Sequence, residues 1–373
     1  MTTPKPFSLH VPESDIADLR ERLARTRWPD EPPLELWSTG TSVAYAKEIA
    51  DYWRTGFDWR AWEAKLNGFR QFTVPIGGID LHFIHEPGRG PNPKPLLISH
   101  GWPGSVFEFH KLIQMLTEHF TVIAPSLPGY TLSFKPGQKR FGVEAIADVY
   151  AELMTDVLGY ESFGVQGGDW GCFVASVLGH RYPERVQGIH LNMLAVRRDP
   201  AMVANPTPEE GVYLTQLNHF LKEETGYQWI QGTKPQTLAF GLTDSPAGLA
   251  AWIVEKFRAW TDHDGNPETA ISRDEMLANI SLYWFTGAIG SSFWPYYARM
   301  HGPWPIPEGQ TVDVPTGYAA FPKEILRPPR SVAAKTYTDI RRWTVMPKGG
   351  HFAALEQPDA LTREVREFFS SLD

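Results

Sequence analysis

The feature that most constrains this chain is a change of hydrophobic period that repeats between residues 71 and 194. Phe72-Thr-Val-Pro-Ile and Ile79-Asp-Leu-His-Phe-Ile-His read as two strands about a Gly77-Gly78 turn. Pro95-Leu-Leu-Ile-Ser, Phe120-Thr-Val-Ile-Ala, Phe163-Gly-Val-Gln-Gly and Val186-Gln-Gly-Ile-His-Leu read as further, buried strands. Between them, residues 106–116, 143–158 and 170–180 read as helices; Ile146, Val149, Tyr150, Leu153 and Val157 make one apolar stripe. Parallel strands need long crossovers, and helices that supply them cover both faces of the sheet. The alternation stops near Met193, gives way to helical segments (248–260 and 275–286 among them), and resumes at Thr311-Val-Asp-Val and at Arg342-Trp-Thr-Val-Met. A helix over 359–369 closes the chain. The expected architecture is α/β: a mostly parallel central sheet flanked by helices, with a helical lid insertion and an N-terminal helical arm. The expected segments are 1–70 for the arm, 71–194 for the first part of the core, 195–300 for the lid and 301–373 for the second part of the core. Within the arm, Ser14 is expected to cap a helix carrying Ile16, Leu19 and Leu23 and ending near Trp28. Residues 42–54 and 58–66 are expected to form two more helices.

Composition narrows the class. With 42% hydrophobic residues in 373, a sizeable core can be buried. The net charge of −8 and the lack of a long Lys/Arg cluster argue against nucleic acid as a partner. The single cysteine, Cys172, permits no intrachain disulfide and fits a reducing compartment. Residues 1–7 carry no apolar signal-peptide core, and no apolar run approaches the roughly 20 residues of a membrane span. The expectation is a soluble, cytoplasmic protein without membrane contact, for which a homodimer is a possible assembly.

The strongest chemical signal is Gly167-Gly-Asp-Trp-Gly-Cys172, placed where a strand ends and a helix begins. Small residues at 167, 171 and 172 allow a sharp, close-packed turn of the nucleophile-elbow kind, with Asp169 in the nucleophile position and the Trp170 N–H free for an oxyanion. An aspartate there can equally serve as a helix cap. His100-Gly-Trp-Pro, ending an apolar strand, lies beside the elbow in such a fold and offers the Trp102 N–H as a second oxyanion donor; His100 itself reads as structural. Gly349-Gly-His-Phe-Ala-Ala follows the last strand, just before the closing helix, a place from which a general base can serve such an elbow. His351, with an ordinary pKa near 6.5, suits proton removal from water at neutral pH. For the acid that orients His351, the strand ending in Thr316-Gly-Tyr leads to Glu324. Asp339 and Asp313 are the weaker alternatives.

Taken in order, these segments resemble the epoxide hydrolase family, and most closely its microsomal-type branch. The arm, His100-Gly-Trp-Pro, Gly-Gly-Asp169-Trp-Gly, Asp244-Ser-Pro-Ala-Gly-Leu-Ala-Ala, Pro315-Thr-Gly-Tyr-Ala-Ala-Phe-Pro-Lys-Glu324 and Gly-Gly-His351-Phe-Ala-Ala carry the resemblance over nearly the whole chain. It implies an α/β-hydrolase fold and two lid tyrosines that hold the epoxide oxygen. By motif these are Tyr227, in Thr-Gly-Tyr-Gln-Trp-Ile-Gln, and Tyr296, in Ser-Ser-Phe-Trp-Pro-Tyr-Tyr, with the adjacent Tyr297 as the alternative to Tyr296. Microsomal-type members often carry a membrane helix before the arm; that attachment is not carried over.

The implied chemistry has two steps. Asp169 attacks a ring carbon while Tyr227 and Tyr296 protonate the ring oxygen, giving an alkyl-enzyme ester. Water, activated by His351 with Glu324 behind it, then attacks the Asp169 carboxyl carbon, and the Trp102 and Trp170 N–H groups stabilise the oxyanion. No cofactor or metal is required. The small-molecule partner is an epoxide, apolar and able to carry an aryl group if the lid aromatics (Trp229, Phe240, Trp252, Trp260, Trp284, Phe285, Phe293 and Trp294) line its pocket. A haloalkane dehalogenase is the nearest rival, since Trp102 and Trp170 could bind halide. A biosynthetic enzyme dedicated to one epoxide intermediate, and a catalytically dead binding protein, are the others. An esterase is disfavoured because the chain has no Gly-x-Ser-x-Gly.

Overall fold

The computed structural model describes residues 3–199 and 203–372. The apolar runs form a nine-stranded sheet from β1 (Lys5–Phe7), β2 (Gln71–Ile76), β3 (Ile79–Glu86), β4 (Lys94–Ser99), β5 (Phe120–Pro125), β6 (Phe163–Gly167), β7 (Val186–Leu191), β8 (Thr316–Ala320) and β9 (Ile340–Val345). Their order across the sheet is β1-β2-β3-β5-β4-β6-β7-β8-β9. The first three strands and β5 pair antiparallel, and every pairing from β5 through β4 to β9 is parallel. The chain leaves β4 toward one edge, to β5, and leaves β6 toward the other, to β7. The carboxyl ends of β4 and β6 therefore flank a topological switch point, where open α/β sheets form their crevices.

The central strands are buried on both faces, so side-chain alternation sorts their residues into two cores. Leu97, Ile123 and Val165 pack on one face, and Leu96, Ile98 and Val122 on the other. Each such aliphatic side chain contributes about 1.5–3 kcal/mol on burial. The outer face of the second core is covered by the closing helix Pro358–Ser370, through Leu361, Val365, Phe368 and Phe369.

The arm helices are Glu13–Ala24, Val43–Thr55 and Trp59–Asn67. Ser42 and Asp58 cap the second and third through side-chain acceptance from Tyr45 N and Ala61 N. Ser14 does not cap the first. That helix starts at Glu13 behind Pro12, and it ends at Ala24, short of Trp28. The arm is tied to the helices between β7 and β8: Thr41 Oγ1 donates to the Ala251 carbonyl (2.7 Å), Tyr52 OH to Asp274 (2.8 Å) and Trp53 Nε1 to Ser281 (3.0 Å).

Other departures have local causes. Strand β1 is three residues long and contains Pro6, too short for a periodic signal. Residues 106–116 do not form one helix; a single 3₁₀ turn, Val106–Phe109, precedes a short helix, Leu112–Leu116. The strand expected from Thr311 begins only at Thr316, after Pro315, which has no N–H for a ladder; Val312 makes one isolated bridge to Tyr337. Among the described residues no helix is long and apolar enough to cross a membrane.

Candidate active site

The turn between β6 and the helix Trp170–Arg181 is built from a strained residue and its small neighbours. Asp169 has φ 47° and ψ −126°, a left-handed conformation costly for a residue with a Cβ. The turn tolerates no bulk around it. A Cβ on Gly171 would lie 2.0 Å from the Ser99 carbonyl oxygen of β4, and one on Gly167 would lie 2.2 Å from the Gly171 carbonyl oxygen. The tight approach of the helix start to the end of β4 is what lifts the Asp169 carboxylate out of the sheet.

Asp169 Oδ1 accepts a hydrogen bond from the Trp102 backbone N–H at 2.7 Å. The Trp170 N–H opens the following helix and is one of the first-turn amides that the helix itself leaves unpaired. Asp169 Oδ2 lies 3.4 Å from His351 Nε2, and His351 Nδ1 lies 2.6 Å from Glu324 Oε1. The Glu324 carboxylate is fully buried and also accepts from the Ile325 N–H at 2.7 Å. Asp313 and Asp339 take no part. Asp313 is exposed and accepts from Thr311 and Thr338, while Asp339 pairs with Arg341. The loop carrying His351 is held from above, because the His351 N–H donates to the Trp260 carbonyl at 2.8 Å and the Gly349 N–H to Asp262 Oδ2 at 2.9 Å.

The charge state of His351 differs from the sequence expectation. Burial alone would lower it, but the Glu324 and Asp169 carboxylates outweigh burial and push it up to about 10. With both carboxylates ionised it is an imidazolium at neutral pH, so the ordinary value near 6.5 does not apply. His100 behaves as expected of a structural residue: its Nε2 accepts from the Leu127 N–H at 3.0 Å, and burial lowers it to about 4.

Two phenols face the carboxylate. Tyr227 lies on the helix Gly226–Thr233 and Tyr296 on the helix Trp294–His301. Their ring centroids are 5.7 Å apart; Tyr227 stacks on Trp102 and Tyr296 meets Trp170 edge-on at 4.8 Å. Burial, and then the charge of Asp169, raise Tyr227 above its ordinary value; burial likewise raises Tyr296, so both remain hydrogen-bond donors. Tyr297 points elsewhere, stacked between Trp294 and His301.

Asp169 borders two cavities. The larger, about 320 Å³, is walled by Trp170, Phe173, Tyr227, Tyr296, Leu221 and Trp304 among others. Most of the lid aromatics expected there are not in its wall. Trp229 and Phe240 are 61% and 73% exposed, and Trp284 and Phe285 line an outer groove with Arg22. Trp294 stacks on Tyr297, and Trp252 Nε1 donates to Gln231. Trp260 and Phe293 pack against Trp102, behind the wall. The smaller cavity, about 20 Å³, is bordered by Glu108, Gln166, Asp169, Asn192 and His351. Burial pushes Glu108 up to about 8, with His351 acting against the rise and Asp169 adding to it. Gln166 Nε2 donates to Asn192 Oδ1, while Gln166 Oε1 is buried without a partner among the described residues. Sequence reasoning missed Glu108 and Gln166. The available signal for Glu108 was an acidic residue inside the buried run Val106-Phe-Glu-Phe109. Among the described residues no group of three or more His, Cys, Asp or Glu side chains is arranged to hold a metal ion.

Comparison with known proteins places this geometry in a family. Residues 4–109 match the epoxide hydrolase N terminus, and residues 94–223 match the alpha/beta hydrolase fold. A candidate epoxide hydrolase of Stigmatella aurantiaca is 43% identical over 377 residues, spanning 98% of this chain and 85% of that protein. Epoxide hydrolase 1 of Oryctolagus cuniculus is 39% identical, spanning 98% and 88%. The crystal structure of juvenile hormone epoxide hydrolase from Bombyx mori superposes with a TM-score of 0.89 at 31% identity, covering 100% of this chain and 95% of that one. Nearly the full length is therefore shared with proteins of one kind, arm included, and the chain belongs to the epoxide hydrolase family of the α/β-hydrolase fold, in its microsomal-type branch.

Proposed function

We propose that this enzyme converts an apolar or aryl-bearing epoxide and water to a vicinal diol through an ester on Asp169. The observation that carries the reading is the position of Asp169 between the two cavities, with the tyrosine pair on one side and the His351–Glu324 pair on the other. The epoxide occupies the 320 Å³ cavity, a volume within the range of small-molecule sites. Tyr227 and Tyr296 donate to the ring oxygen as Asp169 attacks a ring carbon. An aspartate suits this step because the ester's acyl carbon belongs to the enzyme, so water can release the diol there. A serine would leave a stable ether.

The 20 Å³ cavity has room for about one water. Its polar walls suit that water: Gln166 Oε1 can accept, Glu108 in its neutral form can donate, and His351 Nε2 can take the proton. Alkylation removes the charge of Asp169, one of the two that raise His351. The imidazolium then gives up its proton more readily, restoring the one that the tyrosine pair gave to the ring oxygen, and becomes the base that the second step needs. The Trp102 and Trp170 N–H groups hold the oxyanion as water attacks. The helices of residues 195–300 serve as the lid that carries both tyrosines and, through Trp260 and Asp262, steadies the His351 loop.

The test is diol formation from aryl and alkyl epoxides at neutral pH by the wild type and by Asp169→Ala. Turnover by the first and none by the second is expected. Near-wild-type diol formation by Asp169→Ala would sink the covalent assignment. A chloroalkane in the same panel, with no halide release expected, separates this reading from a dehalogenase.

A further inference from the structure

The outer wall of the substrate cavity carries three arginines, Arg197, Arg198 and Arg299. Their planar faces are used. Arg197 and Arg299 lie over Trp304, at 5.6 and 4.2 Å from the ring centroid, and Arg198 lies over Phe220 at 5.1 Å. A cation held over a ring face is restrained by its charge and leaves N–H donors for other partners. Among the described residues, none of the three has a carboxylate within 4.0 Å or a side-chain hydrogen-bond acceptor. Three other partly buried arginines are paired with carboxylates, Arg60 with Glu13 and Glu63, Arg273 with Glu48 and Glu268, and Arg342 with Glu364 and Glu367, while Arg140 and Arg258 lie singly over Phe134 and Trp37; what sets Arg197, Arg198 and Arg299 apart is that three such cations share one cavity wall. Burial, and then the like charges of Arg197 and Arg198, lower Arg299 from its ordinary value, with Glu144 acting the other way. Of the acids that line the cavity, Asp169 belongs to the reaction centre and Asp199 is exposed at the rim; with Glu144 acting on Arg299, the three cations still outnumber the acids near them.

Three like charges gathered on one cavity wall form a site that an anion stabilises. We propose that the physiological epoxide bears a carboxylate at the end remote from the ring, bound by Arg197, Arg198 and Arg299, with the apolar cavity walls holding the carbon skeleton between. The planar fork of a guanidinium matches a carboxylate in two parallel hydrogen bonds. The inference rests on the reading of Asp169 as the epoxide's attacker and adds which substrates reach it. It narrows the apolar class: the middle of the substrate is apolar, and its far end is charged.

The test compares epoxides in pairs, each a free acid and its methyl ester: 4-(oxiran-2-yl)benzoate, and ω-epoxyalkanoates of increasing chain length so that one spans the cavity. With the wild type, the best acid should exceed its ester by about 10-fold or more in kcat/KM, mainly through KM, the size expected of hydrogen bonds to a charged group. Added salt should narrow the ratio. Arg197→Gln, Arg198→Gln and Arg299→Gln should each shrink the acid-to-ester ratio, and Arg299→Lys, which keeps the charge if the stack cannot lose it, should retain part of it. Equal turnover of acid and ester at every length overturns the proposal while leaving the epoxide hydrolase mechanism standing. Loss of both substrates' turnover in parallel in the arginine variants also overturns it, because a purely structural role acts that way. No turnover of any acid or ester by the wild type defeats the mechanism as well as the inference.

Discussion

Glu324→Gln tests the electrostatics of the site most directly. In the resting enzyme His351 is pushed up to about 10 by Glu324 and Asp169 against burial. Glu324 Oε1 is 2.6 Å from His351 Nδ1, and both side chains are out of solvent, so little screening intervenes. Two unit charges about 4 Å apart at an effective dielectric of about 20 interact by about 4 kcal/mol, a factor of about 10³ in the acidity of the imidazolium. The Gln variant keeps a polar group of the same shape and removes that charge.

The sign follows from which form of His351 each step uses. Hydrolysis of the ester needs neutral imidazole, so its rate in the wild type climbs with pH until His351 has lost its proton. Without the Glu324 charge the proton is lost at lower pH. The climb should move down by about 3 pH units, and its plateau should fall by about 10²-fold or more because a weaker base accepts from water less well. Single turnovers followed by tryptophan fluorescence can read this, since Trp260 lies 5.0 Å from His351 and Trp170 begins the elbow helix. An unchanged midpoint, or one displaced to higher pH, would refute the view that Glu324 sets the charge of His351.

Three other outcomes are expected. His351→Gln should form the ester and fail to release it, so mass spectrometry of the denatured variant after substrate should find one alkyl group on Asp169; an unmodified protein counts against the two-step scheme. Because His351 is raised in the folded state, its stabilising contribution is complete below its unfolded value near 6.5 and is lost as pH rises through about 10; wild-type Tm should fall over that window more than that of His351→Gln. Glu108→Ala should slow ester hydrolysis by about 10-fold, the scale of one hydrogen bond to the water, and spare alkylation. Glu108→Gln, which keeps a neutral donor, should be milder near pH 7, and equal damage from both would argue that Glu108 matters only for packing.

The parts of the site that follow from chain order were legible in the sequence. Asp169, Trp102 and His351 stand at the ends of strands or in the loops just after them, and glycine-bounded apolar runs mark those ends without coordinates. Glu324 could be chosen only because one strand end offered an acid nearby; what separates it is its burial against His351, whereas Asp313 is exposed and Asp339 is partly exposed and paired with Arg341, which no local pattern encodes. The lid was harder. Its helices carry apolar residues on several faces because they meet the arm, the core and the cavity at once, so counting aromatics did not tell cavity wall from packing. The tryptophans and the phenylalanine of the wall are Trp170 and Phe173 from the elbow helix and Trp304 from beyond the predicted lid, while Phe240 is 73% exposed. Glu108 and the three arginines stayed invisible for another reason: their meaning lies in the cavities they border, and a cavity is a property of space.

On the proposed mechanism, the contacts of Asp169, His351 and Glu324 give the site a charge cycle. At rest it holds the Asp169 carboxylate, the His351 imidazolium and the Glu324 carboxylate in one line of contacts, 3.4 and 2.6 Å apart. The nucleophile thus has a cationic neighbour while it is an anion. Esterification cancels the Asp169 charge, and with it part of what made His351 hold its proton. In the proposed cycle the contact that holds Asp169 as an anion before attack therefore also releases the base for the second step. A neutral nucleophile such as serine could not drive this change, because its acylation or alkylation removes no formal negative charge from beside the histidine. In the proposed mechanism aspartate at position 169 is in this sense both the group that is alkylated and the signal that alkylation has occurred. The buried Glu324 keeps the histidine basic enough, once that signal arrives, to accept a proton from water.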